Sequence, residues 1–325
     1  MTIVVTGSVA YDYIMSFPGR FKEHILPEKI DTLSVSFLVD SMRRERGGCA
    51  PNIAYSLRLL GERPCIMAAV GQDFGDYQRW LEEQGIDTSG IRVYPDDFTA
   101  SFFVSTDLDN NQIASFYTGA MRWASELSFR DLDHVDIDLA VISPNDPAAM
   151  VKYVQECKEL GIPYVYDPSQ QIVRLEGKDL LEGARGARVL VVNEYEFEMI
   201  KNKTGLDERE LLGLAETTIV TCGERGSRIF DRGEEIQIPV APPRRVAEPT
   251  GVGDAYRAGI IVGMLAGLPW EVAGRMGSLA ATYVLEHYGT QGHRYTLSEF
   301  LDRYREVFGD ASPLEAALQG RSSDG

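Results

Sequence analysis

The residues best suited to chemistry lie in one short stretch, Glu248-Pro249-Thr250-Gly251-Val252-Gly253-Asp254-Ala255-Tyr256-Arg257-Ala258-Gly259. Pro249 and Thr250 suit a turn that enters a helix, because Thr caps helix starts and Pro is excluded from helix interiors. Gly251 and Gly253 let backbone approach a ligand with no Cβ in the way. The apolar residues Ala258, Ile260, Ile261, Val262, Met264 and Leu265 predict a buried helix behind them. The first N–H groups of that helix, at Gly251, Val252 and Gly253, carry the positive end of its dipole and form an anion site. Asp254 sits in the first turn, aimed at the same place. A carboxylate beside an anion site is unfavourable unless it takes up a proton. The stretch therefore reads as a phosphoryl-transfer site in which Asp254 is the base for an attacking hydroxyl. A plainer reading competes, since Asp is favoured near any helix start and Gly-rich turns are common. The chain has no G-x-x-x-x-G-K-[ST], and its G-x-G-D spacing is not the dinucleotide G-x-G-x-x-G.

Other candidates recur at predicted strand ends. Asp12 follows a buried strand over residues 3–8, at the edge where α/β sheets gather ligands. Gly47-Gly48-Cys49-Ala50-Pro51-Asn52 opens a helix, with Gly47 and Gly48 offering close backbone approach and Asn52 an amide in the first turn. For Asp12 and Asn52, simple capping is the alternative. Asn193 and Glu196 stand three apart and share one side of a helix start. Glu196 there would hold Mg²⁺ through water, or else only satisfy the helix dipole. Thr221-Cys222-Gly223 ends another strand.

These residues need a sheet edge to bring them together. From residue 139 strands and helices alternate, with strands at 139–142, 163–166, 189–192 and 218–221. That rhythm predicts a mainly parallel, helix-covered sheet. A hairpin at 226–239 and helices at 251–266, 269–286 and 296–308 follow, leaving a polar tail over 309–325. Two stretches break the rhythm. Thr32–Val39 alternates at period two and reads as a half-exposed strand. Residues 99–106 and 112–118 read as a hairpin around Asp107–Asn111. Phe102, Phe103, Phe116, Tyr117 and Met121 make this hairpin unusually aromatic, for packing between sheets or as a platform for a ligand.

Composition bounds the partners. Forty-four per cent apolar and 25% charged residues place the chain among globular proteins. A net charge of −17 with no basic block excludes the phosphate backbone of nucleic acid as a partner. No apolar run approaches a membrane span. No signal peptide is visible, and four scattered cysteines fit reduced thiols, which points to the cytoplasm. The histidines, His134 among them, have no zinc-site spacing.

Taken together these motifs resemble the ribokinase, or PfkB, family of carbohydrate and nucleoside kinases from Gly7 to about Gly292. Glu248–Gly259 resembles the family's C-terminal signature, and Gly47–Asn52 its N-terminal one. Asn193-x-x-Glu196 is similar to its N-x-x-E motif, and Thr221–Gly226 to its T-x-G-x-x-G stretch. The resemblance implies a doubly wound α/β domain (1–12, 46–90 and 121–310) with a small β-sheet lid (13–45 and 91–120). It implies ATP along Asn193, Thr221, Gly223, Gly226 and Ala281, with Mg²⁺ at Glu196, and an acceptor hydroxymethyl facing Asp254. Asp12, Gly48 and Asn52 would hold sugar hydroxyls. Glu248 stands where the signature usually has Asp, in a loop tied to a monovalent cation in part of the family, so potassium activation stays open.

The acceptor is read from two segments, Asp167–Gln171 and Ser115–Met121, which look like the adenosine and nucleoside kinase branch. An aromatic, Met-bearing lid also suits a stacked base, with Phe102, Phe116 and Met121 against it. Two alternatives remain: a kinase for ribose, fructose or a keto-deoxy acid, and a nucleoside-binding protein without turnover. An exposed lid edge would pair two copies into a homodimer.

Overall fold

Residues 1–132 and 136–318 are described by a computed structural model. Its strands are β1 (Thr2–Thr6), β2 (Ala10–Ser16), β3 (Ser41–Gly47), β4 (Arg63–Gly71), β5 (Ile91–Tyr94), β6 (Ala100–Thr106), β7 (Gln112–Tyr117), β8 (Leu139–Ile142), β9 (Tyr164–Tyr166), β10 (Val189–Asn193), β11 (Thr217–Thr221), β12 (Ser227–Asp231) and β13 (Glu234–Ile238). Its helices are α1 (Cys49–Leu59), α2 (Gly75–Glu83), α3 (Pro147–Leu160), α4 (Gly177–Ala184), α5 (Glu194–Thr204), α6 (Glu208–Leu212), α7 (Val252–Leu265), α8 (Trp270–Leu285), α9 (Leu297–Phe308) and α10 (Ser312–Leu318).

Nine strands form the main sheet in the order β13-β12-β11-β10-β9-β8-β1-β4-β5. All neighbours are parallel except the β11-β12-β13 meander. The period-two alternation of each strand feeds two separate cores. Ile3, Val5, Ile66, Ala68 and Val70 face one, with residues of α1, α7 and α8. Val4, Cys65, Met67 and Ala69 face the other, with residues of α3, α4 and α5. Helices cover both faces, so the fold is a doubly wound, ribokinase-like α/β sheet. The chain leaves β1 for β4 on one side and later returns to β8 on the other. The carboxyl ends of β1 and β8 flank that switch point, where such sheets bind ligands.

Four strands form a second, smaller sheet in the order β3-β2-β6-β7. Its membership corrects several expectations. The predicted strand at 32–39 is absent: Pro27–Thr32 is a 3₁₀ turn, and 33–39 has no regular structure. Of the apolar residues there Leu33, Val35 and Leu38 are exposed, and Phe37 packs on Phe17 and Phe21 without any ladder to a neighbouring strand. The strand is β3 instead, a charged segment (SMRRERG) held by its ladder with β2. Charges belong on such an outer strand because they deter further pairing. Asp12 lies inside β2 rather than at the end of β1. Of the segment 91–120, β5 pairs with β4 at the edge of the main sheet. The polar tail begins as a helix: α10 buries Leu314 and Leu318, while 319–325 lie outside the described residues, as does His134. No helix among the described residues is long and apolar enough to cross a membrane.

Candidate active site

A cleft of about 590 Å³ opens at the carboxyl edge of the main sheet, roofed by the small sheet. Ser8 and Pro144, just beyond β1 and β8, lie in its wall and are joined by a backbone hydrogen bond of 2.8 Å.

At one end stands the N-terminus of α7. Gly251 caps it in the left-handed region (φ 82°), and a Cβ there would lie 3.0 Å from the Thr290 side chain. Gly251 and Gly253 line this end of the cleft at the start of α7, while Val252 N donates to Pro249 O at 3.4 Å. Asp254, in the first turn, is buried, and Asn52 Nδ2 donates to its Oδ2 at 2.9 Å. Burial pushes the Asp254 carboxyl above the usual range, while Arg257 and the Asn52 amide pull it back. Asn52 lines the cleft, but its amide is engaged by protein: Oδ1 accepts from Gln291 Nε2 at 2.8 Å.

Arg257 was quoted in the motif without a role, and the structure gives it one. Its guanidinium is buried, with Nη1 3.7 Å from Asp254 Oδ1. Nη2 donates to Asp167 Oδ1 at 2.7 Å, and Nε lies 2.5 Å from Oδ2. Burial raises the Asp167 carboxyl and Arg257 opposes this; the doubly contacted pair is ionic. Ser169, at a strained φ of 36°, also accepts from Arg257 Nη2. The i, i+3 spacing on one helix was the available signal for Arg257. Ser169, Gln170 and Gln171, in the segment from which the acceptor branch is read, also line the cleft, as does Thr290, which carried no comparable signal.

At the other end Asp12 faces the cleft from β2, with its pKa pushed up to about 6 by burial and by the charges of Glu248 and Glu45. Phe102 on β6, Phe116 on β7 and Met121 form the adjoining wall. Phe116 is 50% exposed, an apolar ring open to the cleft and to solvent.

Along the floor are Asn193, Glu196 and Thr221. Asn193 and Glu196 form a capping box: Oδ1 accepts from Glu196 N and Glu196 Oε2 from Asn193 N, each at 2.8 Å. Gly47, Gly223, Gly226, Val252 and Ala281 stand outside the wall. A Cβ at Gly47 would lie 2.6 Å from Asp12 Oδ2, and one at Gly226 would lie 2.0 Å from Ile238 O. Both glycines therefore make room for protein atoms. Gly48 lines the cleft, yet a Cβ there would meet Ser8 O at 2.4 Å. Gly223 belongs to the turn closed by Cys222 N to Gly226 O, and Ala281 packs into the core of α8. Glu248 Oε2 accepts from Gly289 N at 3.0 Å, which ties the signature loop to the segment after α8.

A buried carboxylate at a helix N-terminus, on the switch-point cleft of a doubly wound sheet, is the arrangement of a sugar- or nucleoside-type kinase. The pfkB family carbohydrate kinase profile matches residues 3–296, and the chain belongs to that family. The nucleoside kinase of Methanocaldococcus jannaschii is 30% identical over 304 residues, 93% of this chain and 96% of that one. Burkholderia thailandensis nucleoside kinase, solved in complex with inosine, superposes with a TM-score of 0.84 at 38% identity, covering 95% of this chain and 98% of that one. A structure of the same enzyme in complex with ADP-inosine gives 0.82 at 38% identity, covering 95% and 96%.

Proposed function

We propose that this protein transfers the γ-phosphoryl group of ATP to the hydroxymethyl group of a nucleoside of the adenosine or inosine type. One observation carries the reading: Asp254 is a buried carboxylate at the N-terminus of α7, opening into the same cleft as Asp12 and the aromatic wall. Asp254 takes the acceptor proton as the hydroxyl attacks, and burial raises its affinity for that proton. The N–H groups of Gly251 and Gly253 meet the charge that develops on the transferred group, while the Val252 N–H, bonded to Pro249 O, shapes the turn. Asp12 grips the ribose hydroxyls, and Phe102, Phe116 and Met121 meet the base. The nucleotide lies along Asn193 and Thr221 toward the Gly223–Gly226 turn. Glu196 spends one carboxylate oxygen on its capping box and presents the other, a lone donor suited to Mg²⁺ held through water. When bound, that ion neutralises phosphate charge.

Relatives and neighbours support this reading. Several are nucleoside kinases, and one was solved with inosine. The small sheet also offers an interface. Outer strand β7 is exposed along its length, with Ile113, Phe116 and Tyr117 uncovered, and a second copy would pair there. The cytoplasm suits the four unpaired cysteines.

The test is an acceptor panel of adenosine, inosine, ribose and fructose with ATP–Mg²⁺, run on the parent and on Asp254→Asn. The expected result is preference for a nucleoside, and a kcat loss of roughly 10²–10⁴-fold in the variant with ATP binding retained. A parent that prefers a free sugar by ~100-fold overturns the acceptor. Parent-like turnover in Asp254→Asn overturns the base.

A further inference from the structure

Three buried side chains from three separate segments connect the end of β3 to Asp254. Tyr77 on α2 donates to the carbonyl of Gly47, the last residue of β3, at 3.1 Å. Gln291, beyond α8, donates through the same Nε2 to Tyr77 Oη at 2.6 Å and to Asn52 Oδ1 at 2.8 Å. Asn52 on α1 then donates to Asp254 Oδ2 at 2.9 Å. Tyr77 is fully buried, and Asn52, Gln291 and Asp254 are each at most 9% exposed.

The direction of these bonds is dictated from the far end. A backbone carbonyl only accepts, so the Tyr77 hydroxyl spends its hydrogen on Gly47 and its oxygen must accept. Gln291 therefore turns its NH₂ toward Tyr77, and the same NH₂ meets Asn52. Asn52 must present its oxygen to Gln291 and its NH₂ to Asp254. This arrangement leaves Gln291 Oε1 buried without a partner, a cost the other bonds outweigh.

Reversing both amides gives the only other self-consistent setting. Gln291 Oε1 then accepts from Tyr77 and Asn52, and Asn52 Oδ1 faces Asp254. Two oxygens face each other there unless Asp254 carries a proton. Reversal also takes the Tyr77 hydrogen from the Gly47 carbonyl and leaves both Gln291 N–H groups without the partners they have here. The reversed setting thus requires a proton on Asp254 Oδ2, whereas the observed setting gives the carboxylate a donor.

We infer that Tyr77 and Gln291 are positioning residues: anchored on the Gly47 carbonyl, they lock the Asn52 amide as a donor and hold Asp254 in its proton-accepting form. The inference rests on the proposed role of Asp254 as base. The other charged or titratable groups turned toward Asp254 are Arg257 on its own helix, Asp167 beyond β9 and the Cys49 thiol at the start of α1. The tests leave all three unchanged.

The experiment measures single-turnover phosphorylation of inosine with ATP–Mg²⁺ against pH, in the parent, Tyr77→Phe and Gln291→Glu. An ionised Glu at 291 accepts from both neighbours and imposes the reversed setting. Its acid limb should move to higher pH by about 1–2 units, the scale of one hydrogen bond to a charged group. Tyr77→Phe only removes the bias and should move it less. Both should approach the parent rate at high pH, with ATP affinity unchanged. Acid limbs that coincide with the parent's overturn the relay.

A second measurement needs neither turnover nor a substitution at Tyr77 or Gln291. In the unsubstituted protein, side-chain amide resonances of Asn52 and Gln291 should follow the Asp254 carboxyl titration, identified by its loss in Asp254→Asn. Amides that stay still through that titration overturn the relay. If Asp254→Asn keeps turnover, the base assignment fails. If it loses turnover while the limbs and amides do not move, the relay alone fails.

Discussion

Arg257 holds two carboxylates with one guanidinium: Asp254, one helical turn behind it, at 3.7 Å, and Asp167, at the end of β9, at 2.7 Å. All three groups are buried. Removing the cation leaves two carboxylates facing each other with little water. Arg257→Met should therefore lower the free energy of unfolding by about 3–5 kcal/mol. Adding Asp167→Asn should recover part of the loss, because an unpaired charge goes with it. Urea unfolding of parent, single and double variants measures both effects. A single variant as stable as the parent contradicts them.

Gly253 affects the site through the same arginine. A Cβ at Gly253 would lie 2.7 Å from Arg257 Nη1, so Gly253→Ala displaces the guanidinium before it reaches any ligand. The expected outcome is a fall in kcat of about 10–10²-fold with the KM for ATP nearly unchanged. Steady-state kinetics with ATP varied decide this. A raised KM with kcat intact would place the damage in nucleotide binding.

Asp12 has a worked pH sign. Its folded pKa, about 6, lies above the ordinary aspartate value of 3.8, so the native state binds more protons between those values. Stability contributed by its protonated form is present at low pH and is lost as pH rises through about 6. Asp12→Asn should thus raise Tm at pH 7, by an amount equivalent to at most about 2–3 kcal/mol, and change it little at pH 4. Acceptor binding runs the other way, weakening below pH 6 as the carboxylate takes a proton. Equal Tm gains at both pH values contradict the assignment.

Phe116 tests the acceptor. A base stacked on its ring gains roughly 0.5–1.5 kcal/mol beyond area burial, and a free sugar gains nothing there. Phe116→Ala should lower kcat/KM for adenosine or inosine by several-fold or more, and for ribose hardly at all. Equal losses for both acceptors would assign the ring to packing.

Much of the main sheet was legible because short apolar strands alternate with helices along the chain, the rhythm of a sheet buried on both faces. β3 was not legible. It is an outer strand of Arg, Glu, Ser and Met whose stability comes from backbone pairing with β2, and no side-chain pattern reports that. Asp254 could be read from its helix start, a local feature. Its partner Asn52 lies 202 positions away, and the bond between them depends on α1 packing against α7. Tyr77 and Gln291 had no local signal, since each matters only through a neighbour on another segment. Asp12 was placed at the cleft for the wrong reason, as a strand-end residue, and stands there from inside β2.

The small sheet also constrains the order in which the molecule can be made. Its central parallel pair sets residue 11 beside residue 101, and everything between them, including α1, β4, α2 and β5, lies on the intervening chain. Pairings between such distant residues carry a large loop-closure cost until that chain is folded. The main sheet can thus build the Asp254 end of the cleft before Asp12 and Phe116 arrive. In hydrogen exchange, amides of β2 and β6 should open well below the global unfolding free energy, while those of β1 and β8 exchange only with the whole domain.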